Sequence, residues 1–175
     1  MLRLMRVLLF VLPFLAGAAG AGPLDDLAAA RRATEDVWNR MPLSVQNTVF
    51  VAQPAPVIGS YQVRENNVFR PGEKLLVYAE PVGYSWKPVD GGKFEFGFDL
   101  DLLIVKPNGD VIAGQQNFQN IVFQNRLRLT ELMFNLTVTL SGIPEGDYVM
   151  QVVIRDLHSD KRGQLELPFS IAGKS

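Results

Sequence analysis

Leu132-Met133-Phe134-Asn135-Leu136-Thr137-Val138-Thr139-Leu140, followed by Ile143-Pro144-Glu145-Gly146-Asp147-Tyr148 and then Val149-Met150-Gln151-Val152-Val153-Ile154, decides the fold. In the first run Leu132, Phe134, Leu136, Val138 and Leu140 alternate with Met133, Asn135, Thr137 and Thr139. In the last, Tyr148, Met150, Val152 and Ile154 recur at every second position. A period of two places those side chains on one face of an extended chain. Pro144 and Gly146, between the runs, are turn formers. A strand, a corner and a second strand are therefore expected, running on to Asp156.

The same period recurs on both sides of this unit. Upstream, Phe94, Phe96, Phe98, Leu100, Leu102 and Ile104 alternate with Lys93, Glu95, Gly97, Asp99 and Asp101, which predicts a long strand from Lys93 to Val105. Lys106-Pro107-Asn108-Gly109-Asp110 reads as a tight turn, and Val111-Ile112 as the start of a short return strand. Gln115 to Arg128 is rich in Asn and Gln and reads as one short strand flanked by loops. Glu73 to Glu80 is apolar on both faces, which suits a central strand or one covered by a helix. Val57 to Arg64 reads as the first strand, with turns at Asn66-Asn67 and Arg70-Pro71-Gly72. Downstream, Leu157 to Gly163 is a charged turn, and Leu165, Leu167, Phe169 and Ile171 form a closing strand. Pro168 in that strand predicts an edge position.

Seven to nine strands without alternating helices predict an all-β antiparallel sandwich over residues 57–172. Its core is the alternating apolar set, each large side chain contributing roughly 1.5–3 kcal/mol on burial. Ahead of it, residues 22–42 hold the one helical pattern. Leu24, Leu27, Ala28, Val37, Trp38 and Met41 fall at spacings of three and four, and Pro42 ends the run. Trp38 reports whether this short amphipathic helix packs or stays loose. Residues 43–56 are a linker or an edge strand, with Thr48-Val49-Phe50-Val51 as the β-prone piece. Residues 1–21 read as a signal peptide: Arg3 and Arg6, an apolar centre from Val7 to Leu15, and Ala19-Gly20-Ala21 for cleavage. The apolar span is short for a bilayer crossing, so no membrane span is expected after cleavage.

The chain has 175 residues, 47% of them apolar, with 17 basic and 18 acidic side chains. Losing the leader removes Arg3 and Arg6 and no acid, leaving three negative charges in excess. No field for nucleic acid follows from that balance. There is no cysteine. Disulfides, thiolate metal sites and cysteine nucleophiles are therefore excluded, and stability must come from burial. A cysteine-free exported chain fits a bacterial periplasmic or secreted location.

Phe69-x-Pro71-Gly72, Leu76-x-Tyr78-x-Glu80, Pro144-x-Gly146-x-Tyr148, Asp156 and Leu165-x-Leu167-x-Phe169-x-Ile171 together resemble immunoglobulin-like or fibronectin-III-like domains of exported bacterial proteins. The resemblance covers residues 57–171. It implies a tyrosine corner, with the Tyr148 hydroxyl bonded back to the connecting backbone. It also implies adhesion, scaffolding or binding roles, because this fold hosts many functions.

Reactive constellations are sparse. His158 is the sole histidine, flanked by Asp156 and Asp160. It reads as a solvated turn residue in preference to a metal or acid–base group. Glu95, Asp99 and Asp101 share one strand face, where Asp90 or Glu80 would have to join them to cage calcium. An exposed polar face is the simpler reading, because strand spacing spreads them over ~20 Å. An enzyme acting on a glycan would use Glu80, Asp99 or Asp101, and a carboxylate pair needs a cleft that the sequence does not announce. Asn135-Leu136-Thr137 matches a glycosylation triplet but lies within a strand. No Gly-x-Ser-x-Gly elbow or phosphate loop occurs. Tyr84 and Trp86, in the Pro/Gly-bounded loop 81–92, form the candidate binding loop, since such rings stack on sugars or anchor peptides. The alternative is that they fold back on the core.

The expectation is thus a non-enzymatic exported module without cofactor or metal. It binds a protein or cell-envelope component through a sheet edge or the Tyr84/Trp86 loop. A small-ligand or glycan-binding domain using the same aromatics is the second reading.

Overall fold

A computed structural model describes residues 22–173. The leader expected over residues 1–21 lies outside the described residues. The chain divides between Thr34 and Glu35 into two compact units. Helix α1, Pro23–Arg40, runs across that boundary. Pro23 suits the first helical position, where its missing N–H has no partner to lose. Asp25 and Asp26 lie in the first turn, where the helix dipole favours negative charge. Among the described residues no helix is long and apolar enough to cross a membrane.

The unit from Glu35 onward is all-β apart from the end of α1. Its strands are β1 (Ser44–Phe50), β2 (Val68–Phe69), β3 (Lys74–Val82), β4 (Lys87–Val89), β5 (Lys93–Val105), β6 (Val111–Asn125), β7 (Phe134–Thr139), β8 (Gly146–Asp156) and β9 (Arg162–Ile171). They form a three-stranded sheet, β1-β3-β7, and a six-stranded sheet in which β2, β9, β8 and β5 follow in order. Both β4 and β6 also pair with β5. The larger sheet is mixed, because β2 runs parallel to β9 while the other pairs are antiparallel.

The two sheets share one core. Phe96, Phe98, Leu100, Leu102 and Ile104 of β5 meet Leu75, Val77 and Ala79 of β3, and Leu136 of β7, in a single buried cluster. Tyr148, Met150, Val152, Ile154, Leu165, Leu167 and Phe169 complete it. The period-two reading of these strands therefore matches their burial. The corner forms as expected: the Tyr148 hydroxyl donates to the Pro144 carbonyl at 3.0 Å. Gly146 there has φ +143°, a conformation side chains disfavour.

Several expectations need correction. Residues 44–50 are a strand on β3, so the edge-strand reading of 43–56 replaces the linker, and the β unit starts well before Val57. Val57–Arg64 is not the first strand. Among the described residues its only ladder contact is a bridge from Val63 to Val51. The segment instead covers the outer face of β3: Tyr61 stacks on Tyr78 at 4.2 Å, and the Gly59 N–H donates to the Tyr78 hydroxyl at 2.8 Å. Burying Tyr78 this way outweighs another ladder because an aromatic ring hides a large apolar area. β3 is central and covered on both faces, as its composition implied, but its cover is a loop. Asn135 in the glycosylation triplet is pinned to Ala55 by two hydrogen bonds, of 2.9 and 2.8 Å.

The largest correction concerns residues 115–128. β6 is a 15-residue strand, not one short strand between loops. Its polarity follows from its place at the sheet margin, where only one edge and one face need satisfying. β9 is not the edge strand that Pro168 predicted, since β2 lies outside it, but β2 pairs only with Ser170 and Ile171, beyond the proline. The Ser170 N–H, two residues on, points to Asn67 at 2.9 Å, so the proline lacks an N–H only where β2 has not yet begun.

Candidate functional site

The Tyr84/Trp86 loop does not present both rings to solvent. Tyr84 is fully buried. Its hydroxyl donates to the Leu129 carbonyl at 2.8 Å, and Trp86 Nε1 donates to the same oxygen at 2.9 Å. Trp38, at the end of α1, is buried too. It stacks on Trp86 at 5.3 Å and donates Nε1 to the Tyr84 carbonyl at 2.7 Å. Phe96 stacks under Tyr84 at 5.4 Å. The rings fold back on the core because each polar tip finds a carbonyl, which removes the cost of hiding it.

The loop is turned inward by its backbone. Gly83 has φ +81°, and a Cβ there would collide with the Pro42 carbonyl. Lys161 Nζ donates to the Gly83 carbonyl at 2.7 Å, and the Ser85 N–H donates to Asp156 Oδ2 at 2.7 Å. Burial raises the Tyr84 hydroxyl well above the ordinary phenol range. Of the two expectations for this loop, Tyr84 follows the fold-back one: its ring is core, and of the two rings only half-buried Trp86 reaches the surface.

The ionisable candidates are likewise held by neighbours. His158 is not a solvated turn residue. Its side chain is 11% exposed and its Nε2 lies 3.3 Å from Glu95 Oε1. The flanking Asp156 spends its oxygens on the N–H groups of Ser85 and His158 itself. Glu95, Asp99 and Asp101 do share the outer face of β5. There Asp101 pairs with Arg155, Asp99 accepts from Asn120 at 2.7 Å, and Glu95 accepts from Gln124 at 2.9 Å. Glu80 sits in the other sheet, bonded by Tyr78 and by Asn47 at 2.7 Å, so it forms no pair with Asp99 or Asp101. Among the described residues no three acidic, histidine or cysteine side chains converge to hold a metal.

What remains is the margin of the larger sheet. Among the described residues β6 pairs with β5 alone, so its far edge carries free backbone groups. Which groups these are follows from one hydrogen bond. The Leu157 N–H donates to the Gly97 carbonyl at 3.0 Å, so Gly97 turns its polar groups away from β6. Val122 stands opposite Gly97. In an antiparallel ladder such a pair turns both residues outward. Val122 therefore offers N–H and C=O to the free side, as do Asn120 and Gln124 two residues either way.

The edge is long, and side chains do not guard it. No charged residue and no proline lies between Val111 and Asn125. The outer side of β9, by contrast, carries Arg162, Glu166 and Pro168. A bulge does interrupt β6, where Gln115–Gln119 spans only Leu102–Leu100 of β5. Asn117 takes φ +48° there, held by its N–H to Asp101 Oδ1 at 2.8 Å and by Arg155 to its side-chain oxygen at 2.6 Å. Beside the bulge, Leu102, Ile104, Phe118, Val138 and Leu140, with Gln115, Thr139 and Ser141, line a partly open cleft of about 230 Å³ between the sheets. The charge-free, proline-free run was the sequence signal for this edge. The bulge and the amide-rich composition hid it.

No family model matches the chain, and no curated protein matches it. Among solved structures the chain is similar to the crystal structure of Spo0M, a sporulation control protein from Bacillus subtilis. The likeness has a TM-score of 0.39 at 12% identity and covers 77% of this chain and 51% of that one, so the chain spans about half of that protein's length.

Proposed function

We propose that this chain is an exported, non-enzymatic immunoglobulin-like module that binds a protein partner of the bacterial cell envelope by adding a strand to β6. The observation that carries the reading is the free edge of a 15-residue strand without charge or proline. Sheet margins of that kind invite aggregation, and folds blunt them unless they are used. An added strand draws its affinity from main-chain hydrogen bonds, and pockets for alternate side chains supply selectivity. The cleft beside the bulge is such a pocket. The strand order β1-β3-β7 against β9-β8-β5-β6, and the Tyr148 bond, support the immunoglobulin-like assignment. Arg3, Arg6 and the apolar run behind them support export to the periplasm or beyond.

Capture from envelope extract tests this reading. The exported chain should retain its partner, and Val122→Lys, which plants a charge on the free edge, should lose it. Equal capture by both would remove β6 from the site.

A further inference from the structure

We infer that the strand added to β6 is β6 of a second copy, paired antiparallel about a two-fold axis at Val122. This rests on the edge reading above and names its occupant. The free edge is self-complementary. With the axis at Val122, Val122 faces its own copy, Asn120 faces Gln124, Ile121 faces Phe123 and Gln119 faces Asn125. Amide meets amide and hydrocarbon meets hydrocarbon at each of these positions. Moving the axis by one residue sets Val122 against Asn120 or Gln124 and leaves apolar groups opposite polar ones. A two-fold interface requires this kind of matching of a surface to itself.

Backbone direction selects the same register. Asn120, Val122 and Gln124 are the residues whose N–H and C=O groups face the free side, as the Gly97–Leu157 bond fixes. Val122 against Val122 and the two flanking Asn120–Gln124 pairs would then each exchange two hydrogen bonds, about six in all. The side chains are already set for it. Asn120 and Gln124 are tied down on their own chain by Asp99 and Glu95, and Val122 stands 48% exposed between them. Ile121 and Phe123 are half-buried on the core side, packed against the core, with Phe123 stacked on Phe96 at 5.6 Å. A copy would cover what they still expose. No charge lies on β6 itself, so no like-charge repulsion opposes its close approach to a copy.

The absence of cysteine makes the register directly testable. In a hydrogen-bonded antiparallel pair the Cα atoms stand about 5.5 Å apart, within disulfide reach of roughly 4.4–6.8 Å. Val122→Cys in the exported chain should oxidise to a covalent dimer at least about tenfold faster than Asn120→Cys, whose two copies would sit about 13 Å apart along the strand. A mixture of Asn120→Cys and Gln124→Cys chains should cross-link to each other. Sedimentation should show the parent as a dimer and Val122→Lys as a monomer, with thermal melting confirming that the variant is folded. A parent that is monomeric at about 100 μM, or equal cross-linking at Val122 and Asn120, overturns the second-copy assignment. If Val122→Lys then still abolishes capture of an envelope protein, the edge reading stands while its occupant is a different chain. A dimer that survives Val122→Lys and leaves Val122→Cys uncross-linked overturns the second-copy assignment, and equal capture of an envelope protein by parent and Val122→Lys overturns the edge reading as well.

Discussion

The 83–86 loop and strand β6 are opposites in composition and in outcome. The loop carries two large aromatic rings between glycine and proline, the make-up of a recognition loop. β6 carries glutamine, asparagine and scattered hydrocarbon, the make-up of a solvated connection. In the fold the loop is core, with Tyr84 fully buried and both of its aromatic tips bonded to the Leu129 carbonyl. β6 is the longest strand and keeps its outward backbone unpaired among the described residues. The contrast teaches that side-chain character is a poor guide to availability. An amphipathic ring is free to bind only when its polar tip lacks an internal partner. A strand edge is free whatever its side chains are, because its donors and acceptors belong to the main chain.

Tyr84→Ala should destabilise the domain by about 3–5 kcal/mol, the usual result of removing a buried ring. Urea unfolding measures this, and a variant as stable as its parent would return the ring to the surface.

Alkaline pH probes another buried phenol, Tyr78 under the 57–64 segment. Burial first, and then its bond to Glu80, push it up to about 12. The native phenol thus holds its proton more tightly than the unfolded one, whose value is about 10. Stability should be level below about pH 10 and fall as the pH rises through about 12. Phenolate absorbance in native and urea-unfolded protein reads this directly, and a single transition at the unfolded value would contradict it.

The smallest effect belongs to β6. Measured dilute enough for parent and variant both to be monomers, Val122→Lys should change the unfolding free energy by no more than about 0.5 kcal/mol, as surface substitutions do. A large loss of stability would mean that Val122 is covered within its own chain.

Facing was legible from the residues alone. Wherever apolar groups recur at every second position, as from Phe96 to Ile104 or from Leu136 across the corner to Ile154, they do share one interior. Alternation is a local property, set by the pleat of a single extended chain. The corner bond of Tyr148 is local for the same reason, since it spans only to Pro144. Pairing was not legible. Which strand lies beside which is a relation between distant segments, so the joining of β1 to β3 and the use of residues 57–64 as a cover had no local mark, and the marginal place of β6 had only its charge-free, proline-free run. Nor did the direction of Tyr84, which depends on a carbonyl 45 residues away. A chain announces which side of each strand avoids water, but a backbone donor or ring hydroxyl is free or satisfied only by virtue of what the rest of the molecule brings to it.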